Sequence, residues 1–125
     1  MEMARKALVV LLWLYVLGVL VQFFLAGLGM AELGNKGMDV HRGLGFSLAY
    51  LPIIFLVVAA VAKLPKPTLI MMAAFAVVAI VQPFWASEFQ GESIAALHVL
   101  GAAFILAMSH ALARLVMRQA GQRAE

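Results

Sequence analysis

The chain has 125 residues, of which 66% are hydrophobic and only 12% are charged, and its mean hydropathy is +1.04. Soluble domains average about 45–50% apolar and about 25% charged residues, so this composition indicates a single membrane domain spanning residues 1–125. The absence of cysteine excludes disulfides, thiol chemistry and cysteine-ligated iron–sulfur clusters. The net charge of +3 does not indicate nucleic-acid binding, because the basic residues lie at the borders of apolar runs rather than along one stripe.

Four apolar runs are long enough to cross a bilayer, which takes about 20 mostly apolar residues. We place them at roughly residues 6–28, 41–63, 67–86 and 94–117. Backbone polar groups inside a bilayer must be satisfied within the protein, so each run is predicted to be a helix. The first run is longer than the apolar core of a signal peptide, about 7–15 residues, and is interpreted as a span. The sequence therefore predicts an all-α bundle of four transmembrane helices.

Turn and capping residues separate these helices. The first helix ends in a glycine-rich segment at residues 27–37, which is not expected to continue as a helix. Asp39 is the predicted N-cap of the second helix, and Ser93 is that of the fourth. Pro83 is expected to bend or end the third helix near its outer edge. The C-terminal tail is expected to remain helical until Gly121.

Lysine and arginine concentrate at the chain termini and in the second connection. These residues are Arg5, Lys6, Lys63, Lys66, Arg114, Arg118 and Arg123. Only Lys36 and Arg42 lie at the other two connections. Because short cytoplasmic segments are enriched in Lys and Arg, both termini and the second connection are predicted to face the cytoplasm. The first and third connections then face the outer side.

The two halves of the chain resemble each other. The motif Val-Gln-x-Phe-x-Ala closes the first run at residues 21–26 and the third run at residues 81–86, and each copy is followed by a histidine, His41 or His98. A duplicated hairpin predicts a pseudo-two-fold axis along the membrane normal, with helices 2 and 4 diagonal across the bundle. The spacing between the two glutamines differs from the spacing between the two histidines. The alternative to a duplication is therefore a chance match of the motif in a largely apolar sequence.

His41 and His98 are the strongest candidates for a site. Intramembrane ionisable residues are functional candidates by default, and neutral imidazole is a good axial ligand for haem iron. The pair is therefore interpreted as the axial ligands of a haem b near the outer face. A solvated interfacial His41 is the alternative. Counted from the two predicted caps, the histidines differ in depth by three residues, roughly 4.5 Å, so one of the caps must be misplaced if they share a ligand.

Five further residues complete the predicted site. Gln22 and Gln82 are amides at apolar helix ends, and each could orient a histidine or bond to a quinone carbonyl or a haem propionate. Plain interhelical hydrogen bonding is the alternative for both. Gly45 and Gly101 would let a flat macrocycle approach the helices. Arg42 could pair with a propionate or an anionic head group.

Two other features of the fourth helix point to structure rather than chemistry. His110 has no matching histidine in the inner half of the chain, so it is predicted to make an interhelical hydrogen bond and not to form a second haem site. Ala103, Ala107 and Ala111 form a small-xxx-small stripe, which is typical of close helix contact.

Several classes of activity are not indicated. The sequence has no Ser/His/Asp set and no zinc-type spacing, so nothing points to hydrolysis. No Asp or Glu lies inside a predicted span, which argues against a proton-coupled transporter. A stand-alone enzyme is accordingly not the expected function.

The ordered set of Gln22, residues 41–45, Gln82 and His98 resembles a family of small bacterial four-helix membrane proteins of unknown function. The likeness covers nearly the whole chain. It implies a multi-pass protein of the bacterial inner membrane and implies no activity. More distantly, paired histidines in duplicated hairpins look like the haem-binding bundles of cytochrome b561-type proteins and haem A synthase, whose further ligands and longer chains are absent here.

Three functions follow from these patterns. The leading hypothesis is a b-type haem-binding protein for electron transfer or haem handling, with His41 and His98 as metal ligands. The second is a structural or accessory subunit of a larger membrane complex. The third is a bundle that binds a small quinone-like ligand without metal. The bilayer is a partner in all three, and a homo-oligomer stays open.

Overall fold

The computed structural model describes residues 1–31, 35–89 and 92–121. These residues form four long α-helices, α1 (Glu2–Met30), α2 (Asn35–Val61), α3 (Lys66–Glu88) and α4 (Leu97–Gly121), and α4 follows a short 3-10 turn at Ser93–Ala96. Each of the four helices is long and apolar enough to cross a membrane. The described residues contain no strand. The prediction of an all-α bundle with four candidate spans is confirmed, as is helix in the tail up to Gly121.

Neighbouring helices run antiparallel around the bundle. α1 packs against α2 and α4, and α3 packs against the same two helices. α2 and α4 are therefore diagonal to each other, as expected for an up-down arrangement. We call the end that carries the start of α1 and the end of α4 the terminal end. The opposite end, where α2 and α4 begin, is called the far end.

The hydrophobic core occupies the terminal and central parts of the bundle. Tyr15 lies at its centre and makes edge-to-face contacts with Phe55 and Phe75, with ring centroids 5.5 and 5.3 Å apart. The buried residues closest to the far end are Val19, Leu48, Ala79 and Ile105. Beyond these four, none of the described residues whose burial is defined is buried. The far end is therefore packed less tightly than the rest of the bundle.

The first connection is shorter than predicted, and three of the four glycines at residues 27–37 lie in helices, while Gly34 lies outside the described residues. Gly27 and Gly29 belong to α1, and Gly37 belongs to α2. A Cβ atom at Gly37 would lie 3.1 Å from the backbone nitrogen of Gly29. The glycines therefore allow α1 and α2 to approach closely where the chain turns, instead of ending the helices. Asp39 lies inside α2, so its prediction as an N-cap was wrong.

This correction resolves the apparent difference in depth between the two histidines. His41 lies six residues after the start of α2, and His98 lies five residues after Ser93, where the 3-10 turn begins. The two imidazoles therefore sit at nearly the same level. Pro83 lies within α3, which continues to Glu88, so this proline does not end the helix.

A polar network that the sequence did not predict ties the four helices together at the terminal end. Arg5 of α1 is only 5% exposed. It donates from Nε and Nη2 to the carbonyl of Ala62 at 3.2 and 3.1 Å, and from Nη2 to that of Lys63 at 3.3 Å. Its Nη1 donates to the carbonyl of Gln119 at 3.5 Å. The Gln119 amide in turn donates to Thr68 Oγ1 at 3.0 Å. Arg5 therefore contributes to the packing of the bundle, in addition to its use in predicting the membrane orientation.

Two predictions for α4 need correction. Ala103, Ala107 and Ala111 are all exposed, so the alanine stripe faces away from the bundle and does not make the close contact expected within the chain. His110 is also exposed, and its ring meets Trp13 edge-on with centroids 5.5 Å apart. This ring contact takes the place of the hydrogen bond predicted for His110, which makes none to the described residues.

Candidate functional site

The structure brings His41 and His98 together at the far end of the bundle. Their ring centroids are 6.3 Å apart, and the ring planes are nearly perpendicular at 85°. Both side chains are half-buried. Because α2 and α4 are diagonal helices that begin at the same level, their first turns converge across the bundle axis. The predicted convergence of the two imidazoles is thus present in the fold.

The His41 imidazole is held in one orientation by a backbone carbonyl. Its Nδ1 lies 3.1 Å from the carbonyl oxygen of Gln22 on α1. A carbonyl can only accept, so Nδ1 donates in this contact, and Nε2 is the ring nitrogen left for a ligand. A neutral imidazole fixed in this tautomer is the form that binds a metal ion.

His98 makes a less complete set of contacts than His41. Its Nδ1 atom is buried and makes no hydrogen bond to any described residue. Buried polar atoms are nearly always paired in folded proteins, so this nitrogen is available to a ligand.

The two glutamine amides pack against glycines of the following helix. The Gln22 amide lies 3.3 Å from the position that a Cβ atom would take at Gly45, and the Gln82 amide overlaps the corresponding position at Gly101. The glycines had been expected to make room for a macrocycle. In this structure that room is taken by the glutamine side chains, and each hairpin repeats the same Gln–Gly contact.

Both amides also have atoms that lack a hydrogen-bond partner. Gln22 has Nε2 and Oε1 buried without a partner among the described residues, and Gln82 has Oε1 in the same condition. Together with Nδ1 of His98, the far end therefore holds four buried polar atoms that are unpaired. An unpaired buried polar group costs about 1–3 kcal/mol, so this cluster is retained at a cost in stability.

Replacing Gly101 with alanine is expected to displace the Gln82 side chain, because the new methyl group would occupy the place of the amide. Stability should change little, since alanine gains up to about 1 kcal/mol over glycine in a helix and the amide can rotate away. The side-chain amide resonances of Gln82, identified by their loss in Gln82→Leu, should move in Gly101→Ala. Gly43→Ala is the matched control, since a Cβ there meets open space. Equal shifts in both variants would contradict the assigned packing.

Arg42 does not join the cluster. Its side chain is exposed on α2, and among the described residues it forms neither an ion pair nor a hydrogen bond with the histidines or the glutamines. The pairing with a ligand predicted for it stays a prediction. The sequence could not show that the two amides lack hydrogen-bond partners. The presence of a glutamine and a glycine at matching places in both hairpins did indicate that these two residues are in contact.

The donor set limits which metal centre the site could form. The described residues contain no group of three or more His, Cys, Asp or Glu side chains that could hold a metal ion. His41 and His98, with ring centroids 6.3 Å apart, can supply two nitrogen ligands. A metal held there would take its other ligands from a molecule that is not protein, and a porphyrin is such a molecule.

Fold and site together define a four-helix bundle with membrane-compatible helices and a histidine–glutamine cluster at one end. Residues 22–88, slightly more than half of the chain, match a family of unknown function, DUF6220, and the chain belongs to this family. The matched segment includes Gln22, His41 and Gln82. Searches of curated proteins and of solved structures found no significant match. The expected likeness to cytochrome b561-type proteins and haem A synthase is not supported.

Proposed function

We propose that this protein is a b-type haem-binding membrane protein that serves electron transfer or haem handling, with His41 and His98 as the axial ligands. The observation that carries the proposal is the meeting of the two imidazoles across the bundle axis, with centroids 6.3 Å apart. An imidazole nitrogen binds a first-row metal at about 2.0–2.1 Å, which separates the centroids of two axial imidazoles by roughly 6 Å. The observed spacing fits this arrangement.

The surroundings of the two histidines also fit a bound group. The Gln22 carbonyl fixes the tautomer of His41, and carbonyls that orient ligating imidazoles in this way are usual at metal sites. The unpaired atoms of Gln22, Gln82 and His98 are free to bond to a ligand. When bound, haem supplies one-electron redox chemistry. The chain itself orients the imidazoles and keeps the site between apolar helices.

The proposal places the protein in the bacterial inner membrane with both termini in the cytoplasm. It rests on the concentration of Lys and Arg at the terminal end and on the four membrane-length helices. The site then lies toward the outer side. Arg42, exposed beside His41, is placed where it can meet an anionic group of the cofactor or a lipid head group.

An absorption spectrum of the detergent-purified protein, first oxidised and then reduced with dithionite, tests the proposal. A Soret band with sharp α and β bands after reduction is expected, because two imidazole ligands make haem iron low-spin. The protein should be expressed with a haem precursor, so that haem supply does not limit occupancy. A colourless protein that also takes up no added haem would refute the proposal.

A second candidate is a structural subunit of a larger membrane complex. It is favoured by the stripe of exposed alanines on α4, Ala103, Ala107 and Ala111, which lies on the outside of the bundle. Small residues let helices approach closely in membranes, so such a stripe suits contact with another chain. This function predicts co-purification of a partner and no chromophore.

A further inference from the structure

A groove opens sideways between α3 and α4 near the far end. Its volume is about 240 Å³, and it is lined by Val77, Val78, Val81, Gln82, Trp85 and Leu97. Val77 is 62% exposed, Val81 50% and Leu97 48%. These apolar side chains face the region that lipid fills around a membrane bundle. α3 and α4 also make the least extensive contact of the four neighbouring helix pairs, so the groove lies along the loosest seam.

One polar side chain interrupts this apolar lining. Gln82 lies six residues before the end of α3 at Glu88, roughly 9 Å along the helix. Its Oε1 atom is buried and has no hydrogen-bond partner among the described residues. An amide can present either its oxygen or, after rotation, its nitrogen to a ligand. Gln82 therefore supplies the one amide side chain in the lining, and a ligand in the groove reaches the buried Oε1 after the side chain turns toward it.

These features indicate which kind of molecule can bind in the groove. An apolar wall that opens to lipid admits a molecule dissolved in the membrane. The buried amide requires a polar head at that depth, which an acyl chain does not have. The volume is below the range of about 300–1,000 Å³ that is usual for drug-sized ligands, so it fits one substituted ring. Neither His41 nor His98 lines the groove, so the groove shares only Gln82 with the proposed haem site.

We propose that the groove between α3 and α4 is a lateral binding site for the head group of a membrane quinone. The Gln82 amide accepts from a hydroxyl of the quinol through Oε1 or, after rotation, donates to a ring carbonyl of the quinone. The apolar tail leaves between Val77 and Val81 into the lipid. This site goes beyond the proposed haem, and its occupation does not depend on haem.

Tryptophan fluorescence can test this inference, because quinones quench a nearby indole. The chain has two tryptophans: Trp85 lines the groove, and Trp13 contacts His110 elsewhere. In the Trp13→Phe background, a decyl-substituted benzoquinone is titrated into the detergent-solubilised full-length protein. Quenching of Trp85 should saturate. Decanol, which has a similar tail without the ring, should not compete.

Two variants locate the binding. Val81→Phe fills the groove and Gln82→Leu removes the hydrogen-bonding head contact, and each should weaken quinone binding about tenfold. Val57→Phe on α2 is the matched control, because Val57 is 58% exposed and lies away from the groove, so its affinity should equal that of the parent. If Val81→Phe does not fold, Gln82→Leu alone carries the comparison.

Three outcomes would overturn the inference: quenching that rises without saturation, equal losses in Val81→Phe and Val57→Phe, or displacement of the quinone by decanol. The last result would identify a site for acyl chains instead. The absorption spectrum of the same samples keeps the two proposals apart. A protein that is colourless, takes up no added haem and still binds quinone would refute the haem proposal and leave this one standing.

Discussion

Replacing His98 with alanine is expected to abolish the low-spin haem spectrum. The variant removes one of the two proposed nitrogen ligands, and the third histidine, His110, is exposed and contacts Trp13 instead. Removing a residue that only supports a ligand costs about 10–100-fold in metal affinity, so loss of the ligand itself should exceed roughly 100-fold. The haem-to-protein ratio and the electron paramagnetic resonance spectrum measure the effect. His41→Ala should behave in the same way.

His110→Ala is the matched control for this experiment. It removes an imidazole from the same helix as His98, but one that is exposed and contacts Trp13. Haem content should therefore stay at the level of the parent protein. Equal haem loss in His110→Ala and His98→Ala would contradict the assignment of the site. A His98→Ala protein that was never coloured but loses a co-purifying partner would support the structural subunit instead.

The response of the apoprotein separates a ligand role from a packing role for the two histidines. Nδ1 of His98 already lacks a hydrogen bond, so the His98→Ala variant breaks no hydrogen bond at this atom. Truncation of His41 removes a hydrogen bond to the carbonyl of Gln22, worth about 1 kcal/mol. If the histidines served packing alone, both variants would lower stability without any cofactor signal.

The sequence was sufficient to predict the helices and the meeting of the two histidines. Hydropathy determines where a chain can cross a bilayer, and short connections determine which helices are neighbours, so the first turns of α2 and α4 could be predicted to bring His41 and His98 together. Asp39 was misplaced as a cap because a residue that often begins helices can also lie on an exposed helix face. The glycines near the first turn were misjudged because their role is the close approach of two helices, as Gly29 and Gly37 show.

The contacts of Arg5 and Gln82 could not be predicted from the sequence for a different reason. The partners of Arg5 are carbonyls at the ends of α2 and α4, which only the completed bundle brings to one place. The contact of Gln82 with Gly101 depends on the relative heights of α3 and α4. Long-range contacts of this kind follow from helix packing, and no local pattern records them.

The buried polar groups at the two ends of the bundle differ in their hydrogen bonding, and we infer that the two ends have different roles. At the terminal end, Arg5, Thr68 and Gln119 bond to one another or to backbone carbonyls. At the far end, amide and imidazole atoms are buried without partners, and the packing is looser. Unpaired polar groups are costly unless a ligand satisfies them, so binding is expected at the far end and stability comes from the terminal end.

Replacing Arg5 with methionine is expected to lower the free energy of unfolding by about 2–4 kcal/mol, since hydrogen bonds to charged groups contribute about 1.5–3 kcal/mol each. The variant keeps the length of the side chain and removes its donors. The carbonyls of Ala62 and Lys63 at the end of α2 then lose their hydrogen bonds from Arg5. The positive charge that stabilises the negative end of the helix dipole is also lost. Thermal and dodecyl-sulfate unfolding in detergent micelles measure the change.

Lys6→Met is the matched control for Arg5→Met, because it removes the same charge from the neighbouring position and so has the same effect on membrane topology. Lys6 is 71% exposed and pairs only with Glu2 among the described residues, at 2.6 Å. An exposed pair of this kind contributes little, about 0.3–0.5 kcal/mol. Arg5→Lys should recover less than half of the loss, because a single ammonium cannot reach carbonyls on both α2 and α4. Equal unfolding of the Arg5→Met and Lys6→Met variants would mean that this network does not stabilise the bundle.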